Sequence, residues 1–162
     1  HMDRILERVA EFGARHVCVT GGEPLAQRRC LELLERLCDA GYAVSLETSG
    51  AIDVTAVDAR VSRVLDLKTP ASGECGRNRW ENLGDLSRND QLKFVVCSRE
   101  DYEWARDQVR ERSLDDLCTV WFSPAWEALE ARQLAEWVLE DQLPVRVQLQ
   151  LHKLLWGDVA GK

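Results

Sequence analysis

Long apolar runs, basic clusters, repeats and low-complexity segments are all missing from this sequence. No stretch approaches the ~18 apolar residues of a membrane-spanning helix, so we expect no membrane span. Acidic residues outnumber basic ones by 28 to 21 and no basic stretch stands out, so we expect no nucleic acid as a direct partner. With 162 residues, 45% of them hydrophobic, the chain is long enough to bury a core and short enough to form one domain.

Closely spaced cysteines are also missing. The six cysteines lie at least eight residues apart and none forms a C-x-x-C pair. This spacing, with no signal peptide at the start, is typical of a protein of the reducing cytoplasm rather than of a disulfide framework. We expect five of them to be buried as small hydrophobic residues and Cys75 to be exposed.

The pattern of segments that is present alternates between strand and helix, which predicts an α/β fold with a parallel sheet or barrel. Strands are predicted near 16–20, 43–48, 63–68, 92–97, 118–123 and 145–151. Helices are predicted over 3–12, 26–40, 98–112 and 130–141, and the segment 69–90 is predicted to be a mobile loop. We interpret residues 1–2 as a cloning remnant and 3–162 as a single partial-barrel domain.

The pentapeptide Thr20-Gly21-Gly22-Glu23-Pro24 follows the first predicted strand. Glycines at the carboxyl end of a strand let the backbone approach a ligand, and that edge is where ligands bind in parallel sheets and barrels. The alternative is a tight strand-to-helix turn with Glu23 as an anion near a helix N-terminus.

Polar residues recur on one side of the predicted strands. In the last one, Val145, Val147, Leu149 and Leu151 alternate with a polar set. That set is Arg146, Gln148, Gln150 and His152. Thr20, Ser45, Glu47, Asp66, Lys68, Lys93 and Ser123 repeat the pattern. Burying such groups is costly unless they bind a ligand or one another, and we favour a ligand-binding cavity.

Four motifs together resemble one known family. The glycine motif, Leu46-Glu47-Thr48-Ser49-Gly50, Asp66-Leu67-Lys68-Thr69-Pro70 and the ending Gln148-Leu149-Gln150-Leu151-His152-Lys153 occur in the order of the 7-carboxy-7-deazaguanine synthases, the queuosine-pathway branch of the radical S-adenosylmethionine enzymes. The resemblance runs from about residue 14 to residue 157. It implies a partial (β/α) barrel with parallel strands inside and helices outside.

The resemblance also implies roles for individual residues, although it identifies no catalytic residue. The positions that match S-adenosylmethionine contacts are Gly21, Gly22, Glu23, Asp66, Leu67, Lys68 and Ser123. Those that match substrate contacts are Thr20, Glu47, Gln150 and His152. The local alternatives are an Asp66–Lys68 ion pair and an ordinary polar histidine at position 152.

The implied reaction is that of a carbon–nitrogen lyase. Reductive cleavage of S-adenosylmethionine gives a 5′-deoxyadenosyl radical, and 6-carboxy-5,6,7,8-tetrahydropterin rearranges to 7-carboxy-7-deazaguanine with loss of ammonia. The family uses a [4Fe–4S] cluster, Mg²⁺ and an external electron donor, and a homodimer is commonly formed.

One part of the family pattern is not matched. Three cysteines in a short motif normally hold the cluster, and nothing before Thr20 offers them. We therefore expect the first strand, the cluster loop and a magnesium ligand to be missing, and this chain alone to be inactive. The tail from Trp156 to Lys162 also departs from the family's short ending. The alternatives are another radical S-adenosylmethionine activating enzyme, and a non-catalytic remnant or scaffold that binds a nucleoside-like ligand or a partner chain.

Overall fold

Six parallel strands form one open sheet in a computed structural model that describes residues 2–157 and 159. The strands are β1 (His16–Val19), β2 (Ala43–Thr48), β3 (Ser62–Leu67), β4 (Gln91–Val96), β5 (Thr119–Pro124) and β6 (Arg146–Val147). They neighbour one another in chain order, and β1 and β6 are the two edges. The predicted α/β class and parallel partial barrel are confirmed. The interpretations of residues 1–2 as a cloning remnant and of the tail from Trp156 rest partly on residues outside the described ones. These are residue 1, residue 158 and residues 160–162.

Helices connect the strands. The α-helices are α1 (Met2–Glu11), α2 (Cys30–Asp39), α3 (Arg99–Arg112), α4 (Leu114–Leu117), α5 (Ala131–Glu140) and α6 (Leu151–Trp156). Four 3₁₀ helices cover Pro24–Ala26, Pro70–Ser72, Cys75–Arg77 and Trp80–Asp85. Within the described ranges, no helix has both the length and the apolarity needed to cross a membrane.

The alternation in the strands decides which face of the sheet is buried. Leu46, Leu65, Leu92, Phe94 and Phe122 are fully buried, and helices pack on their side of the sheet. The residues between them, such as Glu47, Asp66 and Lys93, stay partly accessible on the other side. Because successive strand residues point to opposite faces, one face forms the core and the other is polar, as predicted.

The helix predicted over 26–40 begins later than expected. Residues Pro24–Ala26 form a 3₁₀ helix, Gln27 is extended, and α2 starts at Cys30. The Glu23 side chain caps the 3₁₀ turn by accepting a hydrogen bond from Leu25 N. Helix α3 begins as predicted, with the Ser98 side chain accepting from Asp101 N.

The strand predicted over 145–151 is wrong beyond Val147. Gln148 N still donates to Phe122 O, but the next bond of a parallel ladder would run from residue 124 to the Gln148 carbonyl. Pro124 has no N–H to donate, so the ladder stops and the chain turns into α6. Leu149 and Leu151, expected to face the core, are 48% and 59% exposed.

The segment 69–90 is also more ordered than a simple loop. It contains three of the 3₁₀ helices and two buried asparagines. Asn78 bonds to the backbone N and O of Lys68, and Asn82 bonds to Gly50 O, Ile52 O and Val54 N. These amides hold the segment against the ends of β2 and β3.

Candidate functional site

The carboxyl ends of the six strands bring together most of the residues that the sequence analysis singled out. We call this region the carboxyl-edge site and define it as residues 20–23, 47–50 and 66–68, Lys93, Ser123 and residues 148–152. Because all strands are parallel, these segments lie along the same edge of the sheet. The polar face of β2, β3, β4 and β5 leads into it.

The turn after β1 depends on its two glycines for conformation. Gly21 has φ +103° and Gly22 has φ +58°, a region that other residues rarely adopt. A Cβ built at either position would meet no atom within 4 Å, so both residues border open space. The backbone of this turn is therefore accessible to a ligand, and substitution would be disfavoured by φ rather than by crowding.

The Glu23 carboxylate lies behind this turn and is fully engaged by the protein. Oε1 accepts from Leu25 N at 3.1 Å and from Thr48 Oγ1 at 2.8 Å. Oε2 accepts from Ser49 N at 2.8 Å and from Ser49 Oγ at 2.5 Å. Burial raises the pKa of Glu23, but the hydrogen bonds from Ser49, Thr48 and Leu25 outweigh it and leave the pKa lowered.

Asp66 and Lys68 form the ion pair that their positions two residues apart on one strand face allow. Lys68 Nζ donates to Asp66 Oδ2 at 2.7 Å, and both side chains are partly exposed. The other oxygen, Asp66 Oδ1, is buried and has no hydrogen-bond partner. Asn78 fixes the Lys68 backbone from behind, so the pair faces the carboxyl-edge site.

Glu47 and Lys93 occupy the polar face deeper in the sheet. Lys93 Nζ lies 3.9 Å from Glu47 Oε2, a loose ion pair with both side chains partly exposed. Lys93 belongs to the polar set of strand residues, but no family motif assigns it a role. Its position in the middle of β4 was readable from alternation, whereas its approach to Glu47 depends on two strands that are not neighbours.

A cavity of about 310 Å³ lies between β4, β5 and the segment that follows β6. Lys93, Ser123, Gln148, Gln150 and His152 line it. Strand β6 ends earlier than predicted, but Gln148, Gln150 and His152 still line the same cavity as Ser123. His152 is exposed in α6, and Gln150 is the residue at the start of that helix.

Three buried polar atoms in the described part of the chain have no partner, and all three lie in the carboxyl-edge site. They are Asp66 Oδ1, Ser123 Oγ and Gln150 Oε1. Ser123 is only 1% exposed. An unpaired buried polar group costs about 1–3 kcal/mol, so such groups are retained where a ligand or water satisfies them. Asp66 Oδ1 and Gln150 Oε1 accept hydrogen bonds and Ser123 Oγ can also donate one, so the three atoms fit a polar organic ligand that carries amino or hydroxyl groups.

The cysteines do not fit an iron–sulfur cluster. Over residues 2–157 and 159, no three His, Cys, Asp or Glu side chains come together as a metal site. Cys18 is exposed rather than buried, because Val17 and Val19 take the core side of β1. Cys75 is half-buried rather than exposed. We assign no reaction step to a cluster held by these residues.

Comparison with known sequences gives one consistent family. No family model matches the chain. A protein of Chlorobaculum tepidum named 7-carboxy-7-deazaguanine synthase is 44% identical over 160 residues, which are 96% of this chain and 72% of that protein. One of Koribacter versatilis with the same name is 44% identical over 152 residues, covering 85% of this chain and 67% of that protein.

Solved structures show the same fold. QueE from Escherichia coli superposes with a TM-score of 0.70 at 22% identity, over 92% of this chain and 63% of that one. Streptococcus suis SuiB bound to S-adenosylmethionine superposes with a TM-score of 0.66 at 15% identity, over 91% of this chain and 40% of that one. The chain therefore spans less than two thirds of either solved structure.

Proposed function

This chain belongs to the family of 7-carboxy-7-deazaguanine synthases, and on that premise we propose that its carboxyl-edge site binds S-adenosylmethionine and 6-carboxy-5,6,7,8-tetrahydropterin. The product would be 7-carboxy-7-deazaguanine, formed with loss of ammonia by a carbon–nitrogen lyase. The observation that carries the proposal is the convergence of three unpartnered buried polar atoms at one end of the sheet. No group among the described residues hydrogen-bonds to these three atoms, so a ligand or water must compensate their desolvation.

For S-adenosylmethionine, we propose contacts from the two ends of its methionine group. The Gly21–Gly22 backbone borders open space and suits the amino group, while the Lys68 ammonium suits the carboxylate. Asp66, Leu67 and Ser123 complete this part of the site, where Asp66 Oδ1 can accept a hydrogen bond and the Ser123 hydroxyl can accept or donate one. When bound, S-adenosylmethionine supplies the radical chemistry of the family.

For the pterin, we propose contacts from Thr20, Glu47, Gln150 and His152. The Glu47 carboxylate can accept from the amine or a ring N–H, and Lys93 Nζ lies 3.9 Å from Glu47 Oε2. Gln150 and His152 line the cavity next to Lys93 and provide amide and imidazole groups. These side chains orient the substrate and restrict water, since a radical reaction depends on such exclusion.

A non-catalytic ligand-binding role is the second candidate. It is favoured by the absence of a cysteine group among the described residues. In that case the chain binds S-adenosylmethionine or a similar nucleoside without turnover. We further propose an external electron donor. The free cysteines support a cytoplasmic location. The outer edge of β1, which pairs with no strand of the described residues, supports a homodimer.

Anaerobic calorimetry tests the binding proposal directly. Each ligand is titrated into the chain, and Asp58→Asn is the matched control because Asp58 accepts hydrogen bonds from Arg60 in a loop at the opposite end of the sheet. We expect saturable binding of both ligands to the parent chain and to the control. If neither ligand binds, the proposed function is wrong.

Activity separates the two candidates. The chain is incubated anaerobically with iron, sulfide, dithionite and both ligands, and the products are followed by mass spectrometry. Formation of 5′-deoxyadenosine and 7-carboxy-7-deazaguanine supports the lyase. Binding without either product supports the non-catalytic role.

A further inference from the structure

We propose that Glu23 is a positioning residue whose carboxylate joins the Gly21–Gly22 turn to the segment 48–50 and thereby sets the spacing of both ligand-binding segments. In this role it does not touch either ligand. The inference rests on the proposed function, and it changes the role that the family resemblance implies for Glu23.

The Glu23 carboxylate has no hydrogen-bonding capacity left for a ligand. A carboxylate has about four lone-pair sites, and Glu23 accepts four hydrogen bonds, from Leu25 N, Thr48 Oγ1, Ser49 N and Ser49 Oγ. Two of these donors are backbone N–H groups, which cannot turn away. No lone pair is left in a favourable direction for the amino group of a ligand.

The ladder between β1 and β2 stops before the glycine turn. The pairing runs from His16–Ala43 to Val19–Leu46, so the glycine turn projects beyond the last paired residues. Gly21 and Gly22 have left-handed backbones and no neighbouring atoms beside their Cα positions. Among the described residues, the Glu23 side chain is therefore the main link between this turn and the end of β2.

The segment 48–50 is held by Asn82 as well as by Glu23. Asn82 donates to Gly50 O, and Thr48 Oγ1 accepts from Gly50 N. Glu47, the proposed pterin contact, immediately precedes this segment. Glu23 thus joins a turn that would hold one ligand to a rigid segment that would hold the other.

Neither glutamine nor aspartate can make the same four hydrogen bonds at position 23. In a glutamine variant the NH₂ group would face one of the two backbone donors, Leu25 N or Ser49 N, and an aspartate is one methylene too short to reach residues 48 and 49 from the same backbone. The pKa of Glu23 is lowered, so it is a carboxylate at neutral pH. The titratable neighbour is Cys30 in α2, and its raised pKa keeps the thiol neutral.

The test combines amide hydrogen exchange with ligand affinity. In Glu23→Ala we expect exchange of the Leu25 and Ser49 amides to be at least tenfold faster, with the Leu92 and Phe94 amides of β4 unchanged. S-adenosylmethionine and pterin affinities should each fall about tenfold. Asp58→Asn should match the parent throughout.

A double-mutant cycle separates positioning from direct contact with a ligand. If Glu23 acts through Ser49, then Ser49→Ala weakens binding by itself, and Glu23→Ala with Ser49→Ala is no weaker than Glu23→Ala alone. If Glu23 instead contacts a ligand directly, Ser49→Ala should bind with normal affinity. That result would overturn the proposal. Faster exchange at Leu25 alone would also overturn it, because Glu23 would then be a simple cap.

The failure of the proposed function is distinguishable. If the parent chain binds neither ligand, the proposed function and the ligand-positioning role both fail, and the exchange of the Ser49 amide still decides whether Glu23 joins the two segments. If the Glu23→Ala variant loses Ser49 protection but binds both ligands as the parent does, only the positioning role fails.

Discussion

The two ends of the sheet treat buried polar groups in opposite ways. At the amino end, Arg63 and Asp90 form a buried ion pair with side chains 9% and 1% exposed. Asp90 accepts five hydrogen bonds, three from Arg63 and two from Ser87. At the carboxyl end, Asp66, Ser123 and Gln150 each keep a buried atom without a partner.

This difference shows where the chain uses polar groups for stability and where it keeps them for binding. A fully paired buried network fixes the loops at the amino end. Unpaired groups at the carboxyl end lower the stability of the ligand-free protein, a cost that proteins tolerate at functional sites. One group at the carboxyl end resembles the amino end. The Glu23 carboxylate, like that of Asp90, accepts hydrogen bonds at both of its oxygens.

The largest expected effect is the loss of the ion pair at the amino end. Arg63→Met leaves the Asp90 charge buried without its cation and should lower the free energy of unfolding by about 3–5 kcal/mol. Urea denaturation measures it. Arg60→Met, which removes an exposed arginine paired with Asp58, is the control and should stay close to the parent. Equal stabilities of the two variants would contradict this account of the amino end.

A smaller loss of stability is expected at Glu23. Glu23→Ala removes four hydrogen bonds at a half-buried carboxylate and should cost about 2 kcal/mol. Because the folded pKa lies below the ordinary value of 4.5, this stabilisation is complete above that value and is lost as the pH falls through the folded pKa. The stability difference between parent and variant should therefore shrink on acidification, and a constant difference would count against it.

Lys68→Ala should affect binding more than folding. The ion pair with Asp66 is partly exposed, so its loss should change the free energy of unfolding by less than about 1 kcal/mol. We expect affinity for S-adenosylmethionine to fall about tenfold, or about 1.4 kcal/mol, in calorimetry. Unchanged affinity would remove Lys68 from the proposed site.

His152→Ala should weaken only pterin binding. The residue is exposed in α6, so stability should stay within about 0.5 kcal/mol of the parent. We expect a several-fold loss of pterin affinity with normal S-adenosylmethionine affinity. Equal losses for the two ligands would indicate a shared effect of α6 rather than a pterin contact.

The smallest effect on stability is expected for Ser123→Ala, and it distinguishes the two ends most clearly. Removing a buried hydroxyl that has no partner should leave the free energy of unfolding unchanged or raise it by up to about 1 kcal/mol. Affinity for S-adenosylmethionine should nevertheless fall. A clear loss of stability would show that the hydroxyl is satisfied within the protein.

The parallel sheet and its polar face were predictable because each depends on local alternation. Strand β2 and the carboxyl-end positions of Glu47, Asp66 and Ser123 follow from period two alone. The early end of β6 was not predictable, because it depends on Pro124 in the neighbouring strand. The Glu23–Ser49 bonds were likewise hidden, since they join residues 26 positions apart through the fold.

The most direct test is an NMR titration of the chain with S-adenosylmethionine. The account predicts shifts concentrated in the backbone amides of Gly21, Gly22, Lys68 and Ser123, with those of Ser62 and Gln91 at the amino end unmoved. Shifts that are largest at Ser62 and Gln91, or no shifts at saturating ligand, would contradict the claim that the carboxyl end of the sheet is the ligand-binding end.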